Sequence, residues 1–264
     1  MTLASVDAKN ERLLKRRQHL SQPLQRELDD RLDGSWIYHD AALEGVVLNQ
    51  GDVQAAMAET NPPVEDGSPA VPEIRLLHLA ILASRELAQK RKQPATLDLI
   101  RRFFTLVTPD AAGRATVYRR DNPLHRLYFH EIATPERIGP LMKRLGTWLD
   151  SPDAQRLHPV VRAARAHYDL MHVFPWTRNT GRVARLLMNH LLLCERYPPA
   201  VIHATDRQRY YEALRVPTSA PGEDEDDASH LAVLVVEALD NGLDSALRFV
   251  EEAARDGRRI RAAS

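Results

Sequence analysis

An all-α fold, a helical bundle interrupted by one short β-hairpin, is predicted by three observations. Apolar residues recur at three- and four-residue spacing through most of the chain, Pro and Gly clusters punctuate that rhythm at helix length, and only 113–132 departs from it. The 264 residues suffice for one large domain with extensions at its ends.

Residues 4–33 are highly charged, and Leu20, Leu24, Leu28 and Leu32 draw one leucine stripe along a helix. Two partners suit that stripe: the body of the protein, or the same stripe in a second copy, which would make a homodimer. A second helical stretch is predicted over 36–44, and the Pro- and Gly-containing 61–72 reads as a loop, so that 1–60 forms an N-terminal helical unit. Paired helices follow at 73–92 and 96–107, broken at Pro94, with Thr96 as the N-cap of the second.

Between Pro109 and Ala133 the pattern changes. Gly113, Val117, Tyr118, Leu127, Tyr128, Phe129 and Ile132 suggest an extended excursion or small hairpin. Helical spacing returns over 135–149, 158–172, 181–194 and 207–214, completing a core at 73–215. Helices at 229–239 and 244–255 complete a C-terminal unit, 216–264, packed on that core. The acidic run at 223–227 reads as a solvated loop, and no internal repeat of solenoid length is present.

Composition narrows function. Lys plus Arg and Asp plus Glu both total 36, which argues against non-specific attraction to nucleic acid or anionic membranes. No run approaches the roughly 18 apolar residues of a membrane span, and 1–12 has no apolar core of the signal-peptide kind, so a cytoplasmic, non-membrane chain is expected. Cys194, the one cysteine, sits in an apolar run and reads as a buried thiol, which excludes intrachain disulfides and thiolate metal sites.

The informative stretch is Phe174-Pro175-Trp176-Thr177-Arg178-Asn179-Thr180-Gly181-Arg182-Val183-Ala184-Arg185. One helix ends before Pro175, and another starts with Arg182 and Arg185 three apart on one face. Free amide N–H groups, the positive end of the helix dipole and two guanidinium groups make Asn179, Thr180, Gly181, Arg182 and Arg185 a phosphate-type anion site. The same pattern also reads as a helix junction whose arginines pair with nearby carboxylates, and the residues alone leave both open.

This stretch resembles the signature of the Fic (Fido) family, H-P-F-x-[D/E]-G-N-G-R-x-x-R. Phe174-Pro175-Trp176 falls on H-P-F, and Thr180-Gly181-Arg182-Val183-Ala184-Arg185 on the second half. His167-Tyr168-Asp169-Leu170-Met171 looks like the family's lead-in helix, and 186–189, 197–202 and 206–214 look like its continuation, so the likeness spans most of 75–214. It implies a Fic-type helical bundle with a β-hairpin flap at 113–132 that lays out a target protein, ATP or another nucleotide as ligand, and AMP transfer to a Ser, Thr or Tyr hydroxyl.

The resemblance also implies a degenerate site. Phe174 stands where the family has its general base, a histidine, and has no titratable atom. Arg178 stands where an acid holds Mg²⁺; it would repel the metal and contact phosphate itself, so no metal is expected there. Asn179 and Thr180 replace a Gly and an Asn. Near the N-terminus, 36–45 resembles the family's inhibitory helix, [S/T]-x-x-x-E-[G/N], implying that Glu44 pairs with Arg185 and blocks ATP; Asp40 stands where Ser or Thr is usual.

A second alignment sets His172-Val173-Phe174 on H-x-F, at the cost of two extra residues before Gly181, and makes His172 the base. His125, His130 and His172 are the nearby substitutes for the lost histidine. Three functions are therefore open: a nucleotide- or phosphate-binding pseudoenzyme or regulator; a metal-independent transferase of a phosphate-bearing donor using His125, His130 or His172; and ordinary protein AMPylation with His172 as base.

Overall fold

The structure, a computed structural model, describes residues 2–58, 69–90, 95–111, 113–123, 130–215 and 230–263, with side chains to residue 255. His125, Leu127, Tyr128 and Phe129 of the expected hairpin and the acidic run at 223–227 lie outside the described residues.

Helix α1 (Leu3–Arg17) starts where Thr2 Oγ1 accepts from the Ser5 N–H at 3.2 Å, and ends on Lys15, Arg16 and Arg17, cations suited to the negative end of its dipole. Helix α2 (Gln22–Leu43) restarts with Pro23 in its first turn. The single helix expected over 4–33 is thus broken near Ser21, because Pro23 has no N–H and its ring excludes a preceding helical turn. In turn the stretch expected at 36–44 is simply the end of α2, which passes through Gly34 unbroken. Leu28 is buried, and Leu20, Leu24 and Leu32 pack against the core, so the leucine stripe docks on the body of this chain.

Helix α3 (Gln50–Met57) opens with a reciprocal box: Asn49 Oδ1 accepts from the Asp52 N–H and Asp52 Oδ2 from the Asn49 N–H, both at 2.9 Å. Helices α4 (Val71–Gln89) and α5 (Leu97–Val107) form the expected pair, and Thr96 caps α5 by accepting from the Leu99 N–H at 3.3 Å. Next come α6 (Pro135–Leu149), α7 (Pro152–Arg156), α8 (Pro159–Val173), α9 (Thr180–Cys194), α10 (Arg207–Arg215) and α11 (His230–Ala263). Two helices were expected in place of α11. Leu239, Leu243, Ala246 and Val250 keep one buried stripe across Asn241-Gly242, and that burial outweighs the roughly 1 kcal/mol that a mid-helix glycine costs.

Among the described residues there is no strand, so the expected β-hairpin is not seen. Instead the Arg119 N–H donates to Pro175 O at 2.9 Å and the Ala133 N–H to His172 O at 2.7 Å, which ties this stretch to the end of α8 and the loop after it, and Pro123 lacks the N–H a ladder would need.

At the centre lies α9. Every residue from Thr180 to Leu192 is buried, which is the pattern of a helix covered on all sides, here by α8, α4 and α5. Its first turn, and the loop that delivers it, are therefore held by the whole core.

Candidate functional site

Helix α8 ends on Phe174, which adopts the left-handed region (φ 44°) and donates its N–H to Leu170 O at 2.9 Å. A β-carbon makes that conformation costly by roughly 1–2 kcal/mol, so neighbouring contacts must hold it. Arg119 supplies them. Its backbone N–H donates to Pro175 O at 2.9 Å, Nε to Phe174 O at 2.7 Å, Nη1 to Asp121 O at 3.0 Å and Asn122 Oδ1 at 2.8 Å, and Nη2 to Ala133 O. Burial lowers the pKa of this guanidinium, which reaches the C-terminal end of α8 through Phe174 O and the preceding excursion through Asp121 O, Asn122 Oδ1 and Ala133 O.

The Phe174 ring is buried, and Trp176 stacks on Phe104 with centroids 4.0 Å apart. Thr180 Oγ1 donates to Trp176 O at 2.8 Å and lies 3.2 Å from the Trp176 N–H. Asn179 is also left-handed (φ 60°), and its Nδ2 donates to Val107 O and Thr108 Oγ1, both at 2.9 Å. The loop is thus anchored to α5 before α9 begins.

Arg182 and Arg185 leave the first turns of α9 side by side, both buried. Asp40 lies between them: Oδ1 is 3.3 Å from Arg182 Nε, and Oδ2 is 2.6 Å from Arg185 Nε. Glu44 Oε1 accepts from Arg185 Nη2 at 2.8 Å, and Glu73 at the start of α4 accepts from Arg182 Nη1, which also reaches Asn179 Oδ1 at 3.3 Å. The pKa of Arg185 reflects two opposed influences. Burial, the larger single cause, pulls it down, while Asp40, Glu44 and Tyr210 together hold it well above the usual value. Two guanidinium groups therefore face three carboxylates.

Glu44 also lies against the loop itself: a β-carbon at Gly181 would fall 2.5 Å from Glu44 Oε1 and 3.1 Å from Arg185 Nη1. Glycine at 181 is what allows the carboxylate to come so close. Arg182 Nη2 is buried without a hydrogen-bond partner among the described residues, and the N–H groups in the first turn of a helix have no intrahelical acceptor. In this arrangement, however, the space in front of Gly181 is filled by the chain's own acid.

The remaining candidates lie apart from this cluster. Arg178 is exposed at the rim, ion-paired with Asp110. His172 Nδ1 donates to Tyr168 O at 2.9 Å and its ring stacks on Tyr168 at 3.9 Å; burial lowers its pKa. His130 Nε2 donates to Met171 O at 3.0 Å, and its ring meets His172 edge-on at 5.2 Å. Sequence reasoning missed Asp40, Glu73 and Arg119 as partners of the loop. Asp40 carried a signal, because it stands one helical turn before Glu44 on the same face; nothing local marked Glu73 or Arg119.

Fold and site together define a class: an all-helical protein whose central helix starts in an arginine-bearing loop faced by the acids of an N-terminal helix. A Fic/DOC family model matches residues 94–192. Similar relatives include the protein adenylyltransferases Fic of Drosophila virilis and Drosophila persimilis. Each is 34% identical over 186 residues, which is 68% of this chain and 37% and 35% of theirs. The chain thus spans little more than a third of the length of these curated relatives. Among solved structures, a Fic domain containing signaling protein from Bacteroides thetaiotaomicron superposes with a TM-score of 0.75 at 22% identity, over 94% of this chain and 97% of that one. Fic-1 from C. elegans gives 0.71 at 24% identity, over 94% and 70%. The chain belongs to the Fic/DOC family, and these two structures share its fold.

No helix among the described residues is long and apolar enough to cross a membrane.

Proposed function

We propose that this chain is a nucleotide- or phosphate-binding pseudoenzyme of the Fic family, related to protein AMP-transferases, that regulates through its anion loop rather than by transferring AMP. The observation that carries the reading is Phe174: the residue in the position of the family's base is a buried hydrocarbon ring, and no proton can be taken there. His172 and His130 each commit a ring nitrogen to a backbone carbonyl, which weighs against both transferase readings. Arg178, in the place of the metal-binding acid, adds positive charge at the rim and is itself neutralised by Asp110. A cation has little to gain there, so ligand binding independent of Mg²⁺ is the corollary.

The carboxylates set the resting state. With Asp40, Glu44 and Glu73 against Arg182 and Arg185, an incoming phosphate meets a site that is already one negative charge in excess, and it enters only where an acid leaves. Glu44, poised over Gly181, is the acid whose removal opens the most direct path.

Calorimetry with ATP, with and without Mg²⁺, on the wild type and Glu44→Gly tests the reading. Weak binding in the wild type, at least roughly tenfold tighter binding in the variant and no effect of Mg²⁺ are expected. Transfer of radiolabel from ATP to any protein acceptor by either form would refute the pseudoenzyme reading.

A further inference from the structure

On the other side of α8, a cavity of about 350 Å³ opens between α8 and α6, with residues 131–133 along one edge. Leu145 and Trp148 of α6 and Val173 of α8 give it an apolar floor. Its charges are unevenly satisfied. Arg165 Nε lies 3.0 and 3.1 Å from the two oxygens of Asp169, one turn further along α8, so this pair neutralises itself. Arg137 and Arg144 are exposed, and their guanidinium groups make no hydrogen bond or ion pair among the described residues, although Arg144 acts on Asp169 at longer range. Glu131 is the other acid in the lining. The unmatched positive charge therefore lies along α6.

We propose that this cavity docks an acidic, extended segment of a partner protein, with one apolar side chain on the Leu145–Trp148–Val173 floor and two carboxylates on Arg137 and Arg144. Size and spacing select this occupant. A volume near 350 Å³ is at the low end for a bound small molecule and matches a single anchoring side chain better than a whole ligand. Arg137 and Arg144 stand two helical turns apart, about 10.5 Å along the axis, a separation one phosphate does not bridge. Two acids three residues apart in an extended polyproline II segment, which repeats every three residues at about 3.1 Å each, lie on one face and span about 9.3 Å, close to that separation. The site does not require the α9 loop to hold a nucleotide.

Fluorescence anisotropy with a fluorescein-labelled hexapeptide, GEFSEG, tests the proposal on the nucleotide-free full chain. Its lysine counterpart GKFSKG and the anchorless GEGSEG serve as controls. GEFSEG should bind at least about tenfold tighter than either control, and more weakly as salt rises. The doubly reversed variant R137E/R144E, altered only at exposed positions, should lose GEFSEG at least about tenfold and prefer GKFSKG. Absence of GEFSEG binding, or equal binding to the reversed variant, overturns the proposal. Equal affinity for GEGSEG together with competition by sub-millimolar inorganic phosphate overturns it in favour of a small-anion site.

Discussion

Asp40→Asn removes one charge while keeping the shape of the side chain that bridges both buried arginines. The Asp40 side chain has no exposed surface, and those of Arg182 and Arg185 are 1% and 4% exposed, so water cannot take over its role. Removing one partner of a buried charge pair costs about 3–5 kcal/mol. The amide retains one acceptor oxygen, which places the expected loss near 3 kcal/mol. For a chain of this size that corresponds to a fall in Tm of roughly 6–12 °C. Circular dichroism melts at pH 7, with urea titrations as a check on the slope, would measure it. A second arm links the loss to the anion site. Pyrophosphate should stabilise the variant more than the wild type, because the arginines then lack a carboxylate, and a ligand at 100 times its Kd adds about 2.7 kcal/mol. A change in Tm below about 2 °C, or equal pyrophosphate stabilisation of both proteins, would refute the assignment of Asp40 as the shared counter-ion.

Three further outcomes are expected. Gly181→Ala should displace the Glu44 carboxylate, the far end of a flexible side chain, at a cost of about 1 kcal/mol; in the double variant with Glu44→Gly much of that cost should vanish, as a urea double-mutant cycle would reveal. Arg119→Ala should cost about 3 kcal/mol in urea unfolding, and Arg119→Lys should restore less than half, because an ammonium cannot reproduce the guanidinium fork that reaches Phe174, Asp121 and Ala133 at once. His190 and His39 are both lowered to about 4, chiefly by burial, so each is neutral when folded and takes up a proton more readily when unfolded. Their contribution is complete above the unfolded value near 6.5 and is lost as pH falls from there towards 4, on the order of 3 kcal/mol for buried His190 and less for the partly exposed His39. Urea midpoints should therefore fall between pH 7.5 and 5, and fall less in His190→Asn; a flat profile would contradict the burial argument.

The helices of the core were legible because their apolar spacing and breakers agreed, as at Thr96, whose side chain caps α5 where the sequence placed it. The pairing of Glu44 with Arg185 was also foreseen, through resemblance to a known helix. Joints were harder. Pro23 breaks a continuous leucine stripe, whereas Gly34 and Gly242 break nothing, because neighbouring burial decides whether a weak residue ends a helix. The excursion before α6 read as a hairpin from its β-formers. Yet the contacts that hold its described parts radiate from one arginine to the end of α8, and a residue that acts across 55 positions leaves no local pattern.

The three carboxylates around the loop differ in how easily they can leave. The side chain of Glu73 is 51% exposed, that of Glu44 15%, and that of Asp40 not at all. An exposed ion pair gains little over hydration and is screened by salt, whereas a buried acid between two cations has no comparable alternative partner. Opening should therefore proceed from the Glu73 side of Arg182, where the unpartnered Nη2 already lies, through Glu44, with Asp40 remaining in place. A ligand entering by that route gains Arg182 first and competes with Glu44 for Arg185, while the charge on Asp40 still opposes it. That residual opposition is specific to an acid at position 40. Asp40→Ser should therefore tighten pyrophosphate binding in a Glu44→Gly background, measured by calorimetry in low salt; no further gain over Glu44→Gly alone would mean that Asp40 steadies the arginines without guarding the site.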